Sequence, residues 1–259
     1  MDLISAWFQT GALLLASVFL LWLLSLRLRD AGIIDSFWGL GFVLSVWAYF
    51  VWLPGGLAER KWLLAALVSM WGLRLSAHIT WRNWRRGEDF RYASWRKEHG
   101  RRWPWRSLWQ VFILQGALIW LIGLPLLAAQ ASSAPLGWLD GLALAAWALG
   151  FYFEAVGDWQ LAQFKRDPAN KGKLLTSGLW AYTRHPNYFG DALQWWAFGL
   201  FALAGDAWWA LLSPLLMSWL LRYVSGVAML EKTLKKQKPG YAGYARRTNA
   251  FIPWFPKSG

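Results

Sequence analysis

The stretch GLWAYTRHPNYFGDALQW, Gly178–Trp195, passes from a polar, turn-rich segment into a helix apolar enough to enter a membrane. Pro186 holds its own φ near the helical value and biases His185 away from it, and Asn187 is a good N-cap, so the helix is predicted to begin at Asn187. Arg184, His185 and the unpaired N–H groups of that helix start then share one membrane face. This is a seat for a phosphate or carboxylate, or, in the plainer alternative, a basic anchor at a helix end. Asp191 and Gln194 follow just inside the helix, where lipid offers them no partners.

Composition identifies the body that carries this stretch. Hydrophobic residues make up 57% of the 259, with 24 Trp, which is the make-up of an integral membrane protein. The absence of Cys excludes a disulfide framework, a thiolate nucleophile and a thiolate-bound metal, and three His are too few for a typical histidine metal cluster, so no metal is expected. The first apolar run follows only Met1 and Asp2, without a basic leader region, and reads as a retained span.

Segments of roughly 20 apolar residues, enough to cross a bilayer, recur seven times, at about 5–26, 33–54, 62–81, 108–129, 138–164, 188–205 and 207–230. Only Gly205 and Asp206 divide the last two. No soluble domain or repeat interrupts the pattern, so residues 1–259 are expected to form one all-α, seven-span transmembrane domain. Basic residues follow the first, third, fifth and seventh spans, among them Arg82, Arg85, Arg86, Arg91, Lys165, Lys173, Arg184 and Arg246, whereas the opposite loops hold only Arg60 and Lys61. The positive-inside rule then places the N-terminus outside and the C-terminus in the cytosol. The net charge of +13 follows mostly from this topology, and a nucleic-acid partner is not needed to explain it. Compact loops and a clean charge asymmetry suit a bacterial inner membrane, while nothing in the composition sets an oligomeric state.

An ionised group inside hydrocarbon costs several kcal/mol unless it is paired or wet. Of Asp35, Arg74, His78, Glu154, Asp158, Asp191, Gln194, Arg222 and Glu231, nearly all fall in the cytosolic half of the deduced topology. Singly, each can be explained as an interhelical pair, such as Arg74 with Asp35; together they describe a cavity open to the cytosol. A transporter would spread such groups about the midplane and show repeated halves. No G-x-G-x-x-G or Walker motif is present. The basic cytosolic segments instead interleave Trp, Tyr and Asn with their charges, a lining for a large anionic, aromatic cofactor. Within RRGEDFRY, Glu88 and Asp89 either meet ribose hydroxyls or pair with Arg91.

Three stretches, FYFEAVGDWQLAQFK, GLWAYTRHPNYFGDALQWW and PGYAGYARRTNAFIPWF, resemble the steroid 5-alpha-reductase superfamily of seven-span membrane enzymes. The chain is most similar to a bacterial, DUF1295-like branch that also carries IIDSFWG and GEDFRY, found here at Ile33–Gly39 and Gly87–Tyr92. The resemblance implies a reductase in which NADPH gives hydride to the β-carbon of an enone in a lipophilic, steroid- or isoprenoid-like substrate drawn from the membrane. By position, it implies Asp158 near the adenosine ribose, Lys165 and Lys173 on phosphates, and Asn187 and Asp191 near the nicotinamide. Arg82, Arg91, Arg184 and His185 join that cofactor set from the basic loops. Tyr241, Tyr244 and Arg246 belong to a tail that folds back over the cofactor.

The steroid reductases polarise the enone carbonyl with a Glu on the second span and a Tyr on the third. This chain has neither in place: the third-span match falls at Ile79, beside His78, and the second span offers Asp35. Asp35 and His78 are therefore expected to replace the pair, with Tyr92 as a further donor. The same RHPNYFG stretch with Glu231 and a Tyr-bearing tail also resembles the isoprenylcysteine carboxyl methyltransferases, which implies S-adenosylmethionine held by His185 and Glu231. A third alternative is a non-catalytic lipid-binding protein that keeps the fold.

Overall fold

The computed structural model describes residues 1–84 and 87–257; Arg85 and Arg86, counted above in the basic loop, lie outside the described residues. The described residues are helical, with no β-strand among them, and six helical segments are long and apolar enough to cross a membrane. The protein is an integral membrane protein by this measure. The segments are Leu3–Leu28, Ile33–Trp52, Ala58–Asn83, Phe90–Ala131, Trp138–Arg166 and Trp208–Gln237. The remaining expected span, 188–205, is a helix over Pro186–Leu203 but is not among the six. Its Asn187, Asp191 and Gln194 lower its hydropathy, and most of its length packs inside the protein, so it has little lipid to face. The expected break at Gly205 and Asp206 is a turn in which Asp206 takes φ 61°.

The chain forms two compact units. The first, Met1–Leu136 with Ala204–Ala207, contains α1 (Leu3–Leu28), α2 (Ile33–Trp52), α3 (Ala58–Asn83) and α4 (Phe90–His99), then a run of α5 (Trp103–Ser107), a wider π turn (Leu108–Ile113), α6 (Leu114–Ile122) and α7 (Leu124–Ala131). Asp2 caps α1 by accepting the Ser5 N–H at 2.9 Å, and Asp89 caps α4 by accepting the Arg91 N–H at 3.0 Å. Antiparallel α2 and α3 cross at Gly39 and Gly72, whose backbones touch, and the Ser76 hydroxyl accepts the Leu40 N–H at 3.1 Å beside the crossing. Such small-residue crossings are how membrane helices approach closely.

Arg60 and Lys61, the basic residues of the loops opposite the basic side, are buried in this unit. Arg60 donates to the Ala134 and Pro135 carbonyls, and Lys61 Nζ donates to the Leu53 carbonyl at 2.6 Å. Each satisfies carbonyls where a helix has ended and no intrahelical donor remains.

The second unit, Gly137–Leu203 with Trp208–Gly259, contains α8 (Trp138–Arg166), the short α9 (Leu179–Tyr182), α10 (Pro186–Leu203), α11 (Leu212–Trp219), a π turn (Leu220–Val224), α12 (Val227–Gln237) and α13 (Tyr241–Arg247). Its spine is the antiparallel pair α8 and α10. A Cβ on Gly190 would stand 2.4 Å from the Gly150 carbonyl oxygen and 2.5 Å from the Glu154 nitrogen. Helix α10 begins one residue before the expected start, at Pro186, where proline's missing N–H costs nothing. Asn187 is thereby drawn into the first turn, where its side chain serves another purpose.

The Gly190 crossing yields a paired prediction. Gly190→Ala is expected to lower stability by about 1–3 kcal/mol, the usual cost of overpacking, because backbone, not a flexible side chain, occupies the space. Gly141→Ala, on the same α8 with nothing within 4 Å of the added methyl, should melt with the parent. Thermal denaturation in detergent measures both, and equal melting of the two variants would remove close approach as the constraint.

Candidate functional site

In the first unit, the two short motifs singled out in the sequence meet. Asp35, in the first turn of α2, accepts the Tyr92 hydroxyl at 2.7 Å and Arg91 Nη2 at 2.8 Å. Gln115 on α6 completes the group, its Nε2 donating to Tyr92 Oη at 3.1 Å and to Asp35 Oδ1 at 3.3 Å. A phenol is thus held with its O–H on a carboxylate while an amide donor lies against its oxygen. Tyr92 is buried. Gln115 was missed by sequence reasoning, although the signal was available: it is a single amide within the apolar run VFILQGALIW.

The acids of RRGEDFRY turn out to be engaged within the protein. Asp89 pairs with Arg91 Nε at 2.8 Å, and Glu88 accepts from Arg96 Nη2 at 2.7 Å and from the Ala31 N–H at 2.8 Å. Burial alone would raise both carboxyl pKa values, but the hydrogen bonds from Arg96 and Ala31 to Glu88, and from Arg91 to Asp89, outweigh it and leave both below the ordinary range. His78 is half-buried on α3 with its ring beside Trp81. It lies two residues, or about 200°, round the helix from Ser76, which faces α2.

In the second unit, the closeness of α8 and α10 creates a polar seam. Asn187 Nδ2 donates to Asp158 Oδ1 at 3.0 Å, and Gln194 Nε2 donates to Glu154 Oε2 at 2.6 Å, with Asp191 buried on the same helix. The Arg184 guanidinium is fully engaged: Nε donates to Glu231 Oε1 at 2.8 Å and Nη1 to the Ala245 and Thr248 carbonyls. His185 lies beside it, almost wholly buried, stacked on Tyr188, with Nε2 at 3.5 Å from Glu231 Oε1. Among the described residues, neither His185 Nε2 nor the buried Tyr241 hydroxyl has a hydrogen-bond partner. Burial, followed by the charge of Glu231, pushes the Tyr241 phenol up to about 12. Tyr244, raised by burial, donates its hydroxyl to the Trp180 carbonyl.

The structure therefore gathers Asp35, Arg91 and Tyr92 in one unit. In the other it gathers Asp158 with Asn187, and Arg184 with His185 and Tyr241. Arg82, Lys165, Lys173 and Arg246 are exposed. Arg82 leans on the Asn83 side chain at 3.3 Å, and the Lys173 carbonyl accepts from Lys238 Nζ at 3.2 Å. No group of His, Asp and Glu suited to hold a metal ion occurs among the described residues.

The family described as "Protein of unknown function (DUF1295)" matches residues 21–248, which include both polar clusters. The chain belongs to the DUF1295 family. DUF1295 proteins are part of the steroid 5-alpha-reductase-like group, in agreement with the resemblance carried by IIDSFWG, GEDFRY and RHPNYFGD. An uncharacterised protein of Schizosaccharomyces pombe is 25% identical over 267 residues, covering 90% of this chain and 75% of its own length. No solved structure matches the chain.

Two predictions follow from this DUF1295 geometry. Arg184→Ala should cost about 3–5 kcal/mol, because it removes the guanidinium from the largely buried Glu231 and the donor from two carbonyls. Arg184→Lys should recover only part of the loss, since a single ammonium cannot reproduce the fork. Thermal melting and protease sensitivity of the C-terminal tail report the effect. The acid limb of stability follows from Glu88 and Asp89, whose folded-state pKa values lie below the unfolded ones. Their contribution is complete above about pH 5 and disappears as pH falls through the folded values. Glu88→Gln should flatten that limb in a pH series of melting temperatures, and an unchanged limb would show that Glu88 does not drive it.

Proposed function

We propose that this DUF1295 protein is an NADPH-dependent reductase that adds hydride to an activated C=C bond of a lipophilic, steroid- or isoprenoid-like substrate. The observation that carries the reading is the Tyr92 hydroxyl on Asp35, with Gln115 and Arg91 gathered on the same two groups. Reduction of an enone needs an acid where the enolate charge develops, and a methyl transfer has no such need. In this reading Tyr92 turns its O–H to the substrate oxygen and donates the proton. Asp35, itself held by Arg91, orients the phenol. Gln115 steadies the phenolate oxygen through its N–H until a proton returns.

The second unit offers groups that suit NADPH, which when bound supplies the hydride. Its buried Tyr241 hydroxyl and His185 Nε2 make no close hydrogen bond, although both lie near Glu231. Asp158 and Asn187 would accept and donate to ribose and carboxamide groups, with Asp191 on the same helix. Lys165 and Lys173 are exposed cations of the charge that phosphates require. We also place the N-terminus outside and the C-terminus in the cytosol of a bacterial inner membrane. Arg60 and Lys61, the residues that blur the charge asymmetry, are buried and pinned to carbonyls, which supports this orientation.

A second reading has its own observation: the buried His185 set 3.5 Å from Glu231 suits an S-adenosylmethionine site in a membrane methyltransferase. Thermal titration of the detergent-purified protein separates the readings, because a ligand that binds only the folded state at 100 times its Kd adds about 2.7 kcal/mol. NADPH is expected to raise the melting temperature by several degrees. A shift with S-adenosylmethionine alone would replace the reductase by the methyltransferase, and no shift with either would leave the lipid-binding alternative. Once an enone substrate is found, Tyr92→Phe should lower kcat by roughly 10²–10⁴, the usual worth of a positioned acid, without loss of NADPH binding. A comparable loss in His78→Ala, with Tyr92→Phe unaffected, would return the acid role to His78.

A further inference from the structure

The C-terminal segment after α13 carries an apolar surface that neither polar cluster uses. Ile252, Trp254 and Phe255 are 60%, 66% and 75% exposed, and Tyr182 at the end of α9 is 41% exposed. Three of them form one patch: the Phe255 ring lies 6.0 Å from that of Tyr182 and 6.5 Å from that of Trp254, with Ile252 two residues before Trp254 in the same segment. The patch is anchored, since Trp254 N–H donates to the Tyr182 carbonyl at 2.9 Å and the Thr183 hydroxyl donates to the Phe251 carbonyl at 2.9 Å. Lys257 N–H donates to the Arg247 carbonyl at 2.9 Å, which sets Lys257 beside Arg246 and Arg247, all three exposed. Ile252, Trp254, Phe255 and Lys257 lie beyond residue 248, where the family match ends.

Three physical features bear on what covers this patch. Tyr182 stands four residues before the N-terminus of α10, at the end of α9. Trp and Tyr concentrate at membrane–water interfaces because their rings are amphipathic. Pro253 and Pro256 remove two backbone N–H groups from IPWFP, so the segment presents fewer unpaired donors to a weakly polar environment. Cations rimming an aromatic surface complement anionic headgroups, whereas a water-facing loop has no need of four large rings and side chains in one place.

We propose that the C-terminal tail is an interfacial anchor: Ile252, Trp254, Phe255 and Tyr182 insert into the headgroup–acyl boundary of an anionic leaflet while Arg246, Arg247 and Lys257 engage its headgroups. The anchor holds one end of the strap, residues 241–257, whose Ala245 and Thr248 carbonyls receive Arg184. It thereby ties the clasp at the start of α10 to the bilayer surface.

The chain has no Cys, so a single introduced thiol is unique and can carry a nitroxide label. Trp254→Cys and, as an independent position, Ile252→Cys would be labelled in the full-length protein and placed in nanodiscs of phosphatidylcholine with phosphatidylglycerol. Lys171→Cys, on the exposed turn after α8, provides the water-facing reference. Oxygen accessibility relative to a water-soluble nickel chelate is expected to be several-fold higher at 252 and 254 than at 171. Replacing Arg246, Arg247 and Lys257 by Gln should move both labels toward the reference value. Chelate access at 252 and 254 equal to that at 171 would overturn the proposal. So would dipolar broadening between labels that vanishes on dilution with unlabelled protein, which would show a second copy covering the patch instead of lipid. Labelled variants that melt with the parent confirm that the tail has kept its place.

Discussion

Helices α8 and α10 approach until the backbone of Gly190 meets those of Gly150 and Glu154, and the second unit depends on that contact. With a side chain at either glycine the helices would stand apart, and the polar groups along them would face hydrocarbon. At contact distance, Gln194 reaches Glu154 and Asn187 reaches Asp158, so each amide partners a carboxylate that could not be buried alone. The same device recurs in the first unit, where Gly39 and Gly72 bring α2 against α3. Close glycine crossings and paired polar groups therefore go together here: the first makes the second possible, and the second justifies polar residues on helices that otherwise belong to lipid.

The rule that a buried polar group must find a partner also redistributes the charges. Arg60, Lys61 and Arg184 all end on carbonyls where helices or loops leave acceptors open. Arg184 in particular joins the start of α10 to α12 and to the tail through Glu231 and two carbonyls. A guanidinium committed in that way is a structural clasp. Its neighbours His185 and Tyr241 are likewise buried and lie near the same Glu231.

The first unit shows why two short motifs in one chain can belong to one piece of chemistry. Asp35 sits in IIDSFWG and Arg91 and Tyr92 in GEDFRY, and a hydrogen-bonded group joins them across more than fifty residues of chain. Glu88 and Asp89 hold the second motif in place, Glu88 through Arg96 and the Ala31 N–H, Asp89 through Arg91 and the cap of α4. The loop is thus ordered by its own ion pairs. The phenol of Tyr92 resting on the Asp35 carboxylate is the contact that joins the two motifs.

Helix content, the membrane setting and the polar residues of RHPNYFGD were legible in the amino-acid order, because apolar run length and the cost of isolated charges act locally. Asp35, Asp158, Asn187 and Asp191 stood out for that reason. The partner of each group was not legible. Whether Asp35 meets Arg91, whether Glu88 faces a ligand or Arg96, and whether Arg184 is free for an anion depend on helix rotation and crossing distance, which arise from packing between segments far apart in the chain. Gln115 acquires meaning only when α6 turns it toward Tyr92. Helix α10 departs from the expected spans for a related reason: hydropathy read along a chain assumes lipid on every side, and tertiary packing surrounds α10 with protein, so its polar face is satisfied from within.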